Sequence, residues 1–380
     1  MMRAFKDKCD RTSWKPVRVA FGRMPRGFRA RQVVDQYGRN LEELFLLRNP
    51  RCRFDKNYAG AFESFKKKHF GKRHPHAAGG WFYYPWSSTL VHFLPEKLHF
   101  ELRTGRNKHL ITKKEQERYY NASLGIAGLS VGSHIALTVA MTGGAQHIKL
   151  ADPDTLSGDN LNRIRTGFQN VGVSKAVSVA RQIFEINPYA RVELYLEGLS
   201  DGNLARFLEG LDVFIEVMDN PYLKLASRYE ARKRGVPVVM GTDNGDNIIV
   251  DVERFDLNRN YKALHGMTGN LKPQDLRTLS PRDLPKIAAK IAGADLATPA
   301  MLASVLEVGK SLYSWPQLGT AANLCGSAVA YLVRRIVLKD RAIASGRYQV
   351  NLDSIFESDY AKKKNARRRA FKEFVKRMQG

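Results

Sequence analysis

Strand-like and helix-like segments alternate along residues 121–243, and this alternation constrains the fold more than any other feature of the chain. Short apolar runs predict strands at 123–128, 147–152, 191–197, 212–219 and 237–243. Helical spacing predicts helices at 133–145, 175–186, 203–210 and 222–234. Such alternation is typical of parallel βαβ units. We therefore predict an α/β fold with a Rossmann-like, doubly wound and mostly parallel sheet.

The flanking segments suggest three domains. Residues 1–100 are predicted to form a basic N-terminal region, in which 79–95 provides one or two aromatic strands broken at Pro85. Residues 101–345 are predicted to form the main α/β domain, with an irregular insertion or lid at 256–300 and two helices at 301–313 and 321–342. Residues 346–380 form a basic C-terminal tail.

Positive charge is concentrated at the two ends of the chain. The net charge of the 380 residues is +25; residues 1–120 hold 27 Lys and Arg against 11 Asp and Glu, and the last twenty hold 9 against 1. Such ends favour contact with polyanions such as nucleic acid, and improved solubility is the alternative explanation.

The last helical segment of the tail is amphipathic. Phe371, Phe374, Val375 and Met378 recur at helical spacing beneath its basic face. This helix is suited to dock on the protein's own surface, on a membrane surface or along a nucleic acid backbone.

Cysteine usage and hydropathy predict a reducing, cytoplasmic setting. Cys9, Cys52 and Cys325 are odd in number and far apart, so the sequence supports neither a disulfide framework nor a cysteine zinc site. No apolar run reaches the roughly 18 residues of a membrane span. The N-terminus lacks the apolar segment of a secretory signal.

The first strand is followed by the turn G-L-S-V-G-S, which is typical of a phosphate site. Gly128 and Gly132 allow close approach of the backbone, and Ser130 and Ser133 offer hydroxyl donors at a helix N-terminus. The second strand ends at Asp152, where an acid commonly binds ribose hydroxyls. This combination alone is compatible with NAD, FAD or ATP.

Further polar motifs follow in order: Asp152-Pro-Asp154, Asn160-Leu-Asn-Arg163, a helix that opens at Lys175, and Asp219-Asn220 after a buried strand. This series resembles the ubiquitin-activating E1-like superfamily, which includes ThiF and MoeB. The resemblance extends over about residues 100–343. It implies an enzyme that joins AMP to a carboxylate, in which the acyl oxygen attacks the α-phosphate of ATP and pyrophosphate leaves.

The resemblance also implies a role for each motif residue. Arg163 and Lys175 would offset the charge of the triphosphate. Asp219 would hold Mg²⁺ against the leaving phosphates. Asp152 would bind the ribose hydroxyls, and Asn160 would hold phosphate or orient Arg163.

An arginine upstream of these motifs points to a dimer. Arg103-Thr-Gly-Arg106-Asn107 resembles the R-x-x-R-Q segment of the superfamily. There the second arginine crosses a dimer interface and reaches the partner's triphosphate. Arg106 is thus the candidate arginine finger, and the resemblance implies a homodimer.

Structural explanations compete with these roles. Asp152 is alternatively a turn acid, Lys175 a solvated lysine in a first helical turn, Asp219 a helix N-cap, and Arg106 a surface arginine. We expect His134, on the first helix, to be structural or to support a residue of the site.

Two departures from the superfamily pattern affect the predicted activity. Its usual first turn is G-x-G-G-x-G, whereas this chain has A-G-L-S-V-G. Members that form a thioester carry a cysteine in the crossover region, and residues 244–310 contain none. Cys325, within a long apolar helix, is expected to be a core residue. These features predict adenylation without a covalent thioester. The CxxC pairs with which many members of the superfamily bind zinc are also missing, so we expect no zinc.

The sequence leaves the substrate open and permits two other functions. The carboxylate could belong to a peptide or protein C-terminus or to a modified tRNA. A redox protein that binds NAD or FAD would share the glycine turn and Asp152. A non-catalytic scaffold that binds nucleic acid would share the sheet and the basic ends.

Overall fold

The computed structural model describes residues 11–20, 22, 27–55, 57–280 and 283–379. Cys9 and the rest of the first ten residues lie outside the described residues. The chain divides into two compact units: the first comprises residues 1–117 and 180–190, and the second comprises 118–179 and 191–380.

The first unit is a four-stranded sheet with helices. Its elements are β1 (Val17–Val19), β2 (Gln32–Asp35), α1 (Tyr37–Arg48), α2 (Ala59–Phe70), β3 (Gly80–Tyr84), β4 (Thr89–Phe93) and α3 (Glu96–Arg103). Helix α4 (Lys113–Tyr120) follows and crosses the boundary between the units. The strand order is β1-β3-β4-β2, with β2 parallel to β4 and the other pairs antiparallel.

The second unit is built on a seven-stranded sheet. Its strands are β5 (Ser123–Ala127), β6 (His147–Ala151), β7 (Arg191–Tyr195), β8 (Val213–Glu216), β9 (Val238–Asn244), β10 (Asn247–Glu253) and β11 (Gly346–Val350). Their order is β11-β10-β9-β8-β5-β6-β7; β5 to β9 run parallel, and β10 and β11 extend the sheet antiparallel. The strand order reverses between β5 and β8, so ligands are expected at the carboxyl ends of these strands.

Further helices follow α4 along the described chain. They are α5 (Val131–Met141), α6 (Lys175–Ile186), α7 (Leu204–Leu208), α8 (Pro221–Arg234), α9 (Asp275–Thr278), α10 (Leu284–Ile291), α11 (Pro299–Val305), α12 (Gly319–Val337), α13 (Leu352–Phe356) and α14 (Lys364–Gln379). Helix α6 continues from the second unit into the first. Helix α12 packs against α5 and against β8, β9 and β10. Side chains of α7 and α8 form a core cluster with residues of β5, β6, β8 and β9.

Close approach of α12 to its neighbours depends on small residues. A Cβ on Gly326 would lie 2.7 Å from Cβ of His134 in α5, and one on Gly241 would lie 2.2 Å from Sγ of Cys325. Cys325 is fully buried, and this burial raises the pKa of its thiol well above the usual value. The predicted core position of Cys325 is confirmed.

The predicted α/β sheet and its alternating elements are confirmed, as are the two aromatic strands before Pro95. The helix predicted over 301–313 is wrong beyond Val305, where α11 ends. Gly309 adopts a left-handed φ of 82° within the region that follows. The amphipathic tail is α14, which packs on α11 and buries Phe374.

None of the helices in the described ranges combines the length and apolar character needed to cross a bilayer.

Candidate functional site

The glycine turn after β5 lies at the point where the strand order reverses. Gly128 adopts a φ of +89°, and a Cβ there would lie 2.3 Å from the carbonyl oxygen of Val217. Only glycine accepts both this conformation and this contact without strain. Its amide donates to the carbonyl of Ala151 at 2.9 Å. The turn therefore contacts the segments that leave β6 and β8.

Gly132 and Ser133 lie in the first turn of α5. A Cβ on Gly132 would approach Cγ2 of Ile126 to 3.0 Å, so this glycine lets α5 pack closely on β5. Ser133 is 1% exposed, and its hydroxyl donates to the carbonyl of Ser130 at 2.7 Å. In this arrangement Ser133 stabilises the helix start, and its contact with phosphate stays a prediction.

The carboxylate of Asp152 accepts hydrogen bonds from two separate backbone segments. One oxygen accepts from the amide of Leu129 at 2.6 Å, and the other accepts from the amide of Asp154 at 2.9 Å. Burial raises the pKa of Asp152, and the ammonium of Lys175 opposes this rise. Asp152 therefore shapes the glycine turn as well as the strand end; its predicted contact with ribose is a separate role that stays a prediction.

Lys175 opens α6 with a buried ammonium. Nζ donates to Oδ2 of Asp154 at 2.7 Å, and the Lys175 side chain is only 11% exposed, against 65% for Asp154. The alternative of a solvated lysine is therefore wrong. The pair places a cation directly beside the D-x-D motif.

Arg163 contacts the glycine turn directly. Its Nε donates to Oγ of Ser130 at 3.1 Å, and its Nη1 donates to Oδ1 of Asn162 at 2.9 Å. The carbonyl of Arg163 also forms a hydrogen bond with Nε2 of His134, in keeping with the structural role expected of that histidine. The buried side chain of Asn160 accepts from the amide of Ser157 at 3.3 Å and so stabilises the 3₁₀ turn that ends beside Arg163.

The loop after β8 carries the candidate magnesium ligand. Asn220 is the N-cap of α8, because its Oδ1 accepts from the amide of Leu223 at 3.1 Å. The alternative in which Asp219 caps this helix is therefore wrong. Asp219 is exposed and precedes the cap, in the loop that contacts Gly128 through Val217. A carboxylate oxygen at this position has the chemistry that Mg²⁺ prefers.

A cavity of about 440 Å³ lies beside this loop. It is lined by Leu199, Ser200, Asp201, Gly202, Asn220, Tyr222, Leu223 and Arg277. Arg277 pairs with Asp201 at 2.8 Å, and its guanidinium carbon lies 3.8 Å from the ring centroid of Tyr222. Apart from Asn220, which belongs to the Asp219-Asn220 motif, sequence reasoning missed these lining residues because they belong to no recognisable motif.

A second group that sequence reasoning missed lies at the carboxyl end of β9. Asp243 is 5% exposed; Oδ2 accepts from Nε2 of Gln317 at 3.1 Å, and Oδ1 has no hydrogen-bond partner among the described residues. Burial raises the pKa of Asp243 to about 6, although Gln317 and the charge of Arg163 lower it. The site therefore contains a buried carboxyl group within electrostatic reach of the predicted phosphate-binding arginine.

Arg106 lies in the first unit, in a 3₁₀ turn over Gly105–Asn107, and its side chain is exposed. The other predicted site residues all lie in the second unit.

A doubly wound sheet, a glycine turn at its reversal point, a D-x-D motif paired with Lys175 and an arginine on the turn define a Rossmann-type nucleotide-binding protein of the E1-like adenylyltransferase superfamily. The model of the ThiF family matches residues 104–368, and the chain belongs to the ThiF family.

Two relatives illustrate the similarity. The chain is 37% identical over 277 residues to the uncharacterized protein MT1398 of Mycobacterium tuberculosis, a match that covers 73% of this chain and 38% of that protein. It is 31% identical over 150 residues to the tRNA threonylcarbamoyladenosine dehydratase of Escherichia coli, which covers 38% of this chain and 55% of the relative. The chain thus spans only part of the length of both proteins.

Among solved structures, the E. coli tRNA N6-threonylcarbamoyladenosine dehydratase aligns with 64% of this chain and 96% of its own, at a TM-score of 0.46 and 20% identity. The structure of PaaA aligns with 67% of this chain and 77% of its own, at a TM-score of 0.48 and 18% identity.

Proposed function

We propose that this protein is an ATP-dependent adenylyltransferase that activates a carboxylate. The observation that carries the proposal is the attachment of two cations to one edge of the sheet. Arg163 is bonded to Ser130 in the glycine turn, and Lys175 is bonded to Asp154 beside Asp152. A triphosphate that undergoes attack at its α-phosphate needs positive groups fixed in advance.

Each residue of the site then has a defined task. Asp152 binds the ribose, and the N-terminus of α5 at Ser130 faces the phosphates with backbone donors. Arg163 and Lys175 stabilise the charge that develops as the acyl oxygen attacks and pyrophosphate leaves. Asp219 holds Mg²⁺, which neutralises the leaving phosphates when bound.

Adenylation without a thioester fits the two described cysteines. Cys325 is buried in the core with a raised thiol pKa, and thiolate is the form that attacks an acyl group. Cys52 lies in the first unit and is partly exposed. We expect a Cys52→Ala, Cys325→Ser double variant to keep both adenylation and the later transfer of the acyl group; a thiol-labile acyl-protein adduct, formed from the acyl-AMP with release of AMP and lost in Cys52→Ala alone, would restore the thioester mechanism.

The test is Mg²⁺-dependent binding of a non-hydrolysable ATP analogue, followed by ATP–pyrophosphate exchange with candidate carboxylates. We expect the wild type to bind the analogue more tightly than variants in which Lys175 or Asp219 is replaced by Ala. Absence of nucleotide binding by the folded protein would refute the proposal. A flavin or nicotinamide spectrum in the purified protein would instead support the redox function.

The proposed homodimer places Arg106 of one protomer at the triphosphate of the other. Arg106→Ala and Lys175→Ala variants should each be inactive alone. Mixing them after dissociation should restore activity, because each heterodimer then contains one site with both residues intact. If mixing restores nothing while size-exclusion chromatography shows heterodimers, Arg106 acts within its own protomer or has no role.

For the acyl-bearing substrate we favour a modified tRNA over a peptide. The exposed face of α14 carries Arg368, Arg369, Lys372, Lys376 and Arg377. One relative acts on tRNA by its name. We expect the protein to bind bulk tRNA more tightly than a peptide pool. Replacing three of these basic residues by Glu should abolish that preference, whereas unchanged binding by the variant would favour the peptide substrate.

A further inference from the structure

Two histidines and one aspartate converge in the first unit, far along the sequence from the nucleotide motifs. Asp35 ends β2, His76 lies in a 3₁₀ turn before β3, and His92 lies in β4, where it pairs in register with Asp35. Oδ2 of Asp35 is 2.9 Å from Nδ1 of His76, and Oδ1 is 3.0 Å from Nδ1 of His92. The coordinating atoms of all three side chains lie within 4.8 Å of one another.

The hydrogen bonds of His92 require a positive species at this point. Nε2 of His92 lies 2.7 Å from the carbonyl oxygen of Ala78, which can only accept, so Nε2 carries a proton. In the neutral ring Nδ1 then presents a lone pair, and it faces an oxygen of the Asp35 carboxylate. Two lone pairs at 3.0 Å repel unless a second proton or a metal cation lies between the groups.

The surroundings hold this imidazole in place. The His92 side chain is 1% exposed, and its ring stacks between Trp81 at 4.2 Å and Tyr37 at 4.4 Å between centroids. The amide of Tyr37 donates to Oδ1 of Asp35 at 3.1 Å, and Nε1 of Trp81 donates to the carbonyl of His76 at 2.9 Å. Two of the three converging side chains are thus oriented by backbone groups or rings beyond the cluster.

We propose that Asp35, His76 and His92 bind a divalent transition-metal ion, with Zn²⁺ as the fitting occupant. Imidazole nitrogen and carboxylate oxygen are its ordinary ligands besides thiolate, and a water or further donor completes the four-coordinate shell. A metal-bound histidine usually donates its other ring N–H to a carbonyl or carboxylate, as His92 does to Ala78. Two imidazoles disfavour Mg²⁺ and Ca²⁺, which prefer oxygen ligands only.

This site is independent of the proposed adenylation. All three ligands lie in the first unit, whereas Asp219, the proposed Mg²⁺ ligand, lies in the second. The low cysteine count bears only on cysteine zinc sites and leaves a site of His and Asp ligands open.

The test uses the full chain, stripped with a chelator and titrated with Co²⁺ as a spectroscopic probe, then with Zn²⁺ in competition with a chromophoric chelator. We expect one Co²⁺ per chain with the visible bands of a four- or five-coordinate ion, displaced by Zn²⁺, whose d¹⁰ shell imposes no geometric preference against a four-coordinate site. Asp35→Asn and His76→Ala should weaken binding by at least about tenfold. Because His92 is buried, its substitution is left out of the primary test.

His109→Asn is the matched control, since His109 is exposed in the same unit and its left-handed φ of 70° suits asparagine. It should bind metal like the wild type. Absence of stoichiometric binding by the wild type would overturn the proposal, as would equal binding by the Asp35→Asn and His76→Ala variants. In either case His92 is an imidazolium paired with Asp35, which NMR of its two ring N–H protons would show.

Discussion

Nε of Arg163 donates to Oγ of Ser130 at 3.1 Å, so the guanidinium is anchored to the glycine turn. The two residues are 33 positions apart, and the carbonyl of Arg163 is in turn bonded to His134 in the helix that follows the turn. The arginine is therefore oriented from both its side chain and its backbone. This preorganisation avoids a reorganisation cost during the reaction.

Arg163→Lys should lower the rate of ATP–pyrophosphate exchange by at least about tenfold. Lysine keeps the positive charge but lacks the planar guanidinium and its several N–H donors. Thermal stability should change little, since Arg163 is bonded to exposed and turn groups rather than to a core. Arg165→Lys, two residues away, is the control and should retain the wild-type rate. An unchanged rate in Arg163→Lys would show that charge alone is sufficient.

Lys175→Met should reduce exchange by about a hundredfold or more, as expected for removal of one fixed charge from a transition state. Asp154→Asn is the informative companion, because Asp154 holds the ammonium at 2.7 Å but is itself 65% exposed. It should weaken nucleotide binding by less than about tenfold, by loosening the lysine. If the two substitutions weakened nucleotide binding and exchange equally, a direct role for Lys175 would be contradicted.

Asp219→Ala and Asn220→Ala separate metal binding from helix capping in two neighbouring residues. Asp219→Ala should abolish Mg²⁺-dependent exchange while the free energy of unfolding stays nearly constant. Asn220→Ala should lose about 1 kcal/mol of stability, because it removes the N-cap of α8. Urea denaturation and exchange assays on both variants check the pair; a reversed pattern would assign the metal to Asn220.

Much of the sheet and most of the motif residues could be predicted from the sequence. Parallel strands buried on both faces leave a strong apolar run, and each motif follows such a run directly. Strands β10 and β11 were missed: β10 follows β9 after a tight turn and carries Asp251 and Glu253 among its apolar residues, and β11 pairs with it from nearly 100 residues away. Local patterning does not encode such a partner.

The remaining parts of the site were missed for a related reason. Asp243 lies at the end of a correctly predicted strand, but its carboxylate accepts a hydrogen bond from Gln317, 74 residues further on. Asp35, His76 and His92 come from three elements with no ligand spacing between them. Contacts of this kind arise from tertiary packing and leave no periodic signal.

Arg228→Met should destabilise the second unit by about 3–5 kcal/mol, because it leaves the buried carboxylate of Glu253 without its arginine and that of Glu216 with Lys224 alone. Its Nη1 pairs with Glu216 at 2.6 Å and its Nε with Glu253 at 2.5 Å, all three side chains being essentially inaccessible. Burial alone would raise the pKa of Glu216, but Lys224 and Arg228 together hold that pKa below its usual value.

Urea denaturation of Arg228→Met checks this value, with Lys233→Ala, exposed on the same helix, as the control. Glu216 also accepts from the amide of Met218 at 2.8 Å, just before Asp219. We therefore expect the Mg²⁺ requirement of any folded Arg228→Met protein to shift to higher concentration. A loss of less than 1 kcal/mol would mean that the carboxylates find other partners.

Asp243 should make the stability of the protein fall as the pH rises toward neutrality. Burial raises its pKa from 3.8 to about 6 in the folded state, so the folded protein holds this proton more tightly than the unfolded chain. The resulting stabilisation is complete below about pH 4 and is lost as the pH rises through about 6. Between about pH 5 and pH 7.5 the loss amounts to about 1.4 kcal/mol.

Asp243→Asn keeps the shape of the side chain and removes the titration. Its free energy of unfolding relative to the wild type should therefore increase by about 1.4 kcal/mol over that pH interval. Asp246→Asn, an exposed position on the same hairpin, is the matched control. If the Asp243→Asn and wild-type curves run parallel, the carboxyl group is ionised throughout, and the charge of Arg163 outweighs the cost of its burial.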